Sequence, residues 1–189
     1  MTKNDSIQRM TATALLIALG IAIPLLSPVK IILPPASFTL ASHVPIFLGM
    51  FVSPMVAAVV AVGTTIGFFL GGFPLVIVLR AATHLVFAFG GALFLKRHPQ
   101  TLAKPLPSQL YSFVIALLHG ACEVAVVSVF FFGGNMGDSW YSSGFFVSIF
   151  LLVGVGSVVH SMLDFAISLL IVNVLKRQKN LRALFRNAA

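Results

Sequence analysis

Residues 43–70, HVPIFLGMFVSPMVAAVVAVGTTIGFFL, contain no Asp, Glu, Lys or Arg and are broken at one place, Ser53-Pro54. Proline suits the first turn of a helix, where its missing amide proton costs least. The run therefore reads as two apolar helices, 43–53 and 55–70, meeting at a turn. Kept as one long kinked helix, it would lower the number of membrane crossings by one. Outward from it, apolar stretches at 10–27, 73–95, 108–132 and 145–175 are each bounded by proline, glycine or charge. The count is six with the break and five without it.

Charge placement tests the two counts. Lys3 and Arg9 precede the first stretch, Lys96, Arg97 and Lys104 follow the fourth, and Lys176, Arg177, Lys179, Arg182 and Arg186 follow the last. Six crossings put all of these on one face, which basic residues mark as cytoplasmic, whereas five would put the two largest clusters on opposite faces. The sequence thus predicts an all-α polytopic membrane protein. It forms one integral membrane domain over residues 1–189, with six transmembrane helices, both termini in the cytoplasm and a place in the cell membrane. The outer loops then hold only Lys30 and Asp138 as charged groups, with Pro34, Pro35, Asn135, Trp140 and Tyr141 beside them. Such stiff and aromatic groups suit closure over a small molecule. Trp140 and Tyr141 serve equally well as interfacial anchors.

Composition agrees with a bilayer environment. Of 189 residues, 59% are hydrophobic and 8% charged, and mean hydropathy is +1.06, whereas an ordinary soluble domain carries about 25% charged residues. Six crossings of about 20 residues each leave no room for an extramembrane catalytic domain. The net charge of +8 sits at span ends rather than on a folded basic surface, so it reads as a topology signal and not as a nucleic-acid footprint. The single Cys122 provides neither a disulfide within the chain nor a cysteine metal cluster. The first apolar stretch lacks a recognisable small-residue cleavage site and is followed by further spans, so it reads as a retained helix.

Polar residues inside these stretches carry the functional reading. Counting inward from Phe73 at about 1.5 Å per residue, Arg80 lies roughly 10 Å below the outer end of its span, with His84 one turn deeper. Arg at a helix centre costs about 2.5–3.5 kcal/mol on translocon scales, so it normally faces a partner or a water-filled cavity. Three spans repeat a spacing of four that stacks two polar groups on one face: Arg80 with His84, His119 with Glu123, and His160 with Asp164. Arg80 either binds a substrate carboxylate through its planar fork or pairs with Glu123, whose depth of roughly 14 Å below the outer end is similar. His160 and Asp164 lie deeper and read first as a hydrogen-bonded clamp between helices. His43 opens the second helix under the long first loop, where it either reaches the outer cavity or is an interfacial polar residue. Ala14, Ala18 and Ala22 form a small-residue packing stripe on the first helix, and Gly63, Gly67 and Gly71 a second on the third.

Enzyme readings fail on spacing, and the protein is read as no enzyme. Ser157 and His160 are one turn apart, no glycine follows the serine, and no second element supplies an oxyanion hole. Asp5, Asp138 and Asp164 are too scattered to hold a divalent metal for phosphotransfer. Five dispersed histidines and four acids make no metal site by spacing alone, so no metal and no cofactor are expected. There is no P-loop, so any ATP dependence comes from a partner.

The six-span layout, the long first outer loop, the Ala14, Ala18, Ala22 stripe and the run PPASFTLASHVPIFLGMFVSP at 34–54 together resemble a family: the substrate-binding S components of energy-coupling factor transporters, which capture vitamins for bacteria. The resemblance spans nearly the whole chain, and the alanine stripe matches the family's A-x-x-x-A motif. It implies that Ala14, Ala18 and Ala22 dock onto a transmembrane coupling subunit driven by two ATP-binding subunits. It also implies a vitamin held near the outer face, at Arg80, His84, Glu123, Asn135 and Trp140, with His43 in reach, in a body that topples to carry its ligand inward. Arg80 argues for an anionic vitamin. Among these the reading leans to pantothenate, whose hydroxyls and amide would meet His84, Glu123 and Asn135, with nicotinate on Arg80 and Trp140 as the alternative. A stand-alone secondary carrier or channel is the reading from another class, but no half-to-half repeat supports it.

Overall fold

The computed structural model describes residues 3–33, 36–134 and 136–185. Pro34, Pro35, Asn135 and Arg186 lie outside these described residues. The chain is an all-α membrane bundle with one small hairpin. The first helix, α1 (Lys3–Leu26), lies along the outside, and Leu16 and Gly20 are its fully buried residues among those described. It leans on α3 (Pro54–Leu70). Gly63 and Gly67 lie under Ile17 and Ile21, and Gly20 faces Thr64, with no space for a Cβ at any of the three. The glycine stripe is thus an internal seam.

Between α1 and the next helix the first outer loop is structured. Strands β1 (Lys30–Leu33) and β2 (Ala36–Thr39) pair antiparallel, with Ile31 opposite Phe38 and Leu33 opposite Ala36. A two-stranded hairpin is marginal alone, and this one is held by docking. Buried Ala36 packs with Val127, Ile149 and Val153, and Phe38 seats against Gly156, where a Cβ would come within 2.5 Å of its ring. The chain then turns inward through Ala41, a non-glycine residue at φ +67°. This left-handed conformation costs an L-residue roughly 1–2 kcal/mol. Asp164 holds it, accepting the Ala41 N–H on Oδ1 and the His43 N–H on Oδ2, each at 2.8 Å.

The helix that follows, α2 (Val44–Val52), is buried at all nine positions. At about 1.5 Å per residue it spans less than half of the roughly 30 Å hydrocarbon thickness. The sequence reading gave this crossing to residues 43–53 alone. In the structure the residues before it are not helical and their N–H groups are satisfied, those of Leu40 and Ser42 by the Val29 and Thr39 carbonyls and those of Ala41 and His43 by Asp164. Ser53, extended at φ −172°, ends α2 and caps α3 through Oγ, which accepts the Val56 N–H. Pro54 opens α3, and Gly49 rests on Ala57 and Val60. The quoted run is therefore a folded-back pair of helices, not one kinked helix.

The rest of the bundle is longer. Helix α4 (Leu75–Arg97) follows the Gly72 turn and Pro74, a 3-10 turn (Pro99–Ala103) leads into α5 (Pro105–Phe132), and α6 (Asp138–Tyr141) is a single turn on the loop beyond. The last crossing is π-helical over Phe146–Val155 and continues as α7 (Gly156–Leu175), before a short α8 (Lys179–Arg182). Among the described residues four helices are long and apolar enough to cross a membrane: Ser6–Leu26, Leu75–Arg97, Pro105–Phe132 and Phe146–Leu175. Helix α3 is a shorter apolar one. The apolar core lies around α2, where Phe47 and Phe51 meet Phe165 edge to face at 5.3 and 5.8 Å. Leu184 and Phe185 tuck into the same cluster.

Candidate functional site

Above this apolar core lies a cavity of about 240 Å³, walled by the first-loop hairpin, α3, α4, α5 and α7. Its polar groups gather on two buried carboxylates. Glu123 on α5 is the first. Its Oε2 receives Arg80 Nη2 at 2.7 Å and the Ser157 hydroxyl at 2.6 Å. Its Oε1 lies 3.3 Å from His119 Nε2 and 3.6 Å from His84 Nε2. Arg80, Glu123 and Ser157 come from three different helices, so the pair ties α4, α5 and α7 together. Arg80 Nε, also buried, has no hydrogen-bond partner.

Asp164 on α7 is the second carboxylate. Besides the two loop N–H groups it lies 3.2 Å from His43 Nδ1 and 3.4 Å from His160 Nε2, and Ser42 Oγ reaches His160 Nε2 at 3.0 Å. His43 stands between the two centres, its ring centroid 4.6–4.9 Å from those of His84, His119 and His160. The rest of the lining is partly aromatic. Phe38, Phe68 and Phe73 contribute to it, with Phe68 and Phe73 stacked at 4.5 Å.

The structure brings Arg80, His84, Glu123 and His43 to one cavity. Asn135 lies outside the described residues. Trp140 does not line the cavity; it is half-buried against the cluster of Ala36, Val127, Ile149 and Val153, behind the hairpin. Ala14 and Ala18 are exposed and Ala22 half-buried along α1, away from the cavity. Sequence reasoning left three contributors out of the site, His160 among them because a helix clamp was preferred there to a site role. Ser157 was weighed only as a nucleophile, yet it donates to Glu123; His160 lines the cavity as well as touching Asp164. His119 was placed on the Glu123 stripe but not in the site. The signal for Ser157 and His160 was present, since Ser157, His160, Ser161, Asp164 and Ser168 form one buried polar stripe on α7 at helical spacing.

A helical bundle whose inner polar groups surround a loop-capped cavity, with lipid-compatible apolar surface outside, is a multi-pass protein of the cell membrane built to hold a small molecule. No family model matches the chain, and no solved structure does. The niacin transporter NiaX of Lactococcus lactis subsp. cremoris (strain MG1363) is 39% identical over 176 residues, which cover 93% of this chain and 78% of that protein. The chain belongs to the family of that transporter.

Proposed function

We propose that the protein is the substrate-capturing S component of an energy-coupling factor transporter and that its vitamin is nicotinate. The carrying observation is the 39% identity, over 93% of the chain, to a protein named as a niacin transporter. The cavity chemistry suits that ligand. Nicotinate offers a carboxylate and one flat ring. Arg80 supplies a guanidinium whose Nε is unpartnered, and the phenylalanine wall supplies faces for the ring. The carboxylate joins or displaces Glu123 on the guanidinium fork, and the ring lies against Phe38, Phe68 or Phe73 rather than against Trp140. The leaning towards pantothenate gives way here, because the relative is a niacin transporter and because Glu123, one of the groups assigned to pantothenate's hydroxyls and amide, is already held by Arg80 and Ser157.

The coupling subunit and two ATP-binding subunits are part of the same proposal. Their support is the exposed Ala14 and Ala18 stripe on an outer helix and the absence of a P-loop from the sequence. Six crossings with both ends in the cytoplasm follow from the basic clusters at the span ends.

The test is equilibrium binding of radiolabelled nicotinate, nicotinamide and pantothenate to the purified chain in detergent, with Arg80→Ala alongside. Binding of nicotinate in preference to the other two, lost in the variant, is the expected result. Preference for pantothenate, or no binding by demonstrably folded protein, would overturn the assignment.

A further inference from the structure

Four of the chain's five histidines converge at the floor of the cavity. The rings of His43, His84 and His119 meet edge to face, with centroids 4.8, 4.6 and 5.0 Å apart. A neutral imidazole has one donor and one acceptor, and rings packed in this way cannot satisfy one another. Both nitrogens of His119 and Nε2 of His84 are buried without a hydrogen-bond partner. Glu123 Oε1 stands 3.3 Å from His119 Nε2 but makes no aligned hydrogen bond to it. Buried polar atoms left in this state are costly, so three of them in one cluster of rings call for an occupant.

Charge narrows the class of occupant. Arg80 and Glu123 cancel each other. Asp164, fully buried, accepts backbone N–H groups on both oxygens, the acceptor-only pattern of an ionised carboxylate. Among the described residues its ion-pair partners are His43 and His160, which balance it only if protonated. With those rings neutral, the Asp164 end of the site carries one uncompensated negative charge. A divalent cation reverses the sign, and a monocarboxylate then makes the whole neutral.

We propose that His43, His84 and His119 bind a divalent transition-metal ion, with one coordination position open to the cavity. One ligand atom from each lies within 4.8 Å of the others. Tetrahedral nitrogen ligands at about 2.0–2.1 Å from an ion stand roughly 3.4 Å apart, so the rings need close in by little more than about 1 Å. Imidazole donors suit zinc, nickel, copper and iron. Asp164 is a positioning residue: its Oδ2 lies 3.2 Å from His43 Nδ1, which leaves Nε2 for the ion in a carboxylate–histidine–metal relay. His160 and Asp164 form a competing group with His43, but the Asp164 oxygens are already taken by the loop N–H groups. His43 and His84 line the cavity while His119 lies behind it, so the free position faces the ligand. The proposal goes beyond the nicotinate reading, and its test contains no vitamin.

The test uses the full chain in detergent, carried on an affinity tag without histidine, stripped with a chelator and titrated with Co²⁺ alone. A His98→Gln background removes the one remaining histidine, an exposed residue beyond the inner end of α4, so that only the clustered imidazoles are left. One Co²⁺ per chain with the intense visible absorption of a tetrahedral nitrogen site is expected, lost in His119→Gln and in His84→Gln, and weakened about 10- to 100-fold in Asp164→Asn. Only the faint spectrum of hydrated Co²⁺ would overturn the proposal, as would an intense band that survives both histidine variants. Should neither variant fold, the His98→Gln spectrum decides alone.

Discussion

Glu123 and Arg80 are close enough to be taken either as a structural pair or as a site waiting for an anion, and the two roles separate in a double-mutant cycle. Arg80→Ala strands a buried carboxylate, and removing one partner of a buried pair costs about 3–5 kcal/mol. Adding Glu123→Gln removes the stranded charge. Thermal unfolding in detergent should therefore show a large loss for Arg80→Ala and recovery of most of it in the double variant. Nicotinate binding should stay lost in both. If binding returned with stability, Arg80 would be a structural residue and the vitamin would be held elsewhere. The residues of this pair were legible in the sequence because a charge in an apolar run has few reasons to exist. Ser157, His119 and His160 were harder to place. Their role depends on which way each helix is rotated, and α7 takes its rotation from a π-helical stretch, Phe146–Val155, whose wider winding no hydropathy pattern announces.

At the scale of elements, the first loop is the part that sequence reasoning least foresaw. It was read as an outer loop over a helix, and it is a docked hairpin whose descending limb enters the bundle and shortens α2 to nine residues. Hydropathy does not separate a short buried helix from a crossing one, since both are apolar; the Ser53-Pro54 break was visible because proline and serine have local rules of their own. The hairpin is seated at two places, Asp164 under Ala41 and Gly156 under Phe38. Gly156→Leu fills the second seat, and its side chain has to displace the Phe38 ring. The expected result is a nicotinate Kd at least about tenfold weaker, equivalent to about 1.4 kcal/mol, with faster release. The thermal midpoint should move little, because the core around Phe47, Phe51 and Phe165 is untouched. An unchanged Kd would mean that the hairpin does not cover the ligand.

For the molecule as a whole, what matters is which face is left for other proteins. Helix α1 meets the bundle through Gly63, Gly67 and Thr64 on α3, and beside that seam Ala14 lines a shallow step with Met55 and Val59, with Ala18 exposed one turn further along α1. Met55 is 70% and Val59 43% exposed, so the α3 side of the step is apolar and suits either lipid tails or another helix. The two occupants respond differently to bulk. Lipid accommodates a large side chain, whereas a helix packed backbone to backbone against small residues does not. Ala14→Trp and Ala18→Trp, about one helical turn apart, are at positions that do not line the cavity and should leave nicotinate binding by the isolated chain unchanged. In vesicles reconstituted with the proposed coupling subunit and two ATP-binding subunits, the same variants should fail to co-purify with that module and lose ATP-driven nicotinate uptake. Wild-type uptake in both would assign the alanine step to lipid and leave the coupling surface to be sought on another helix.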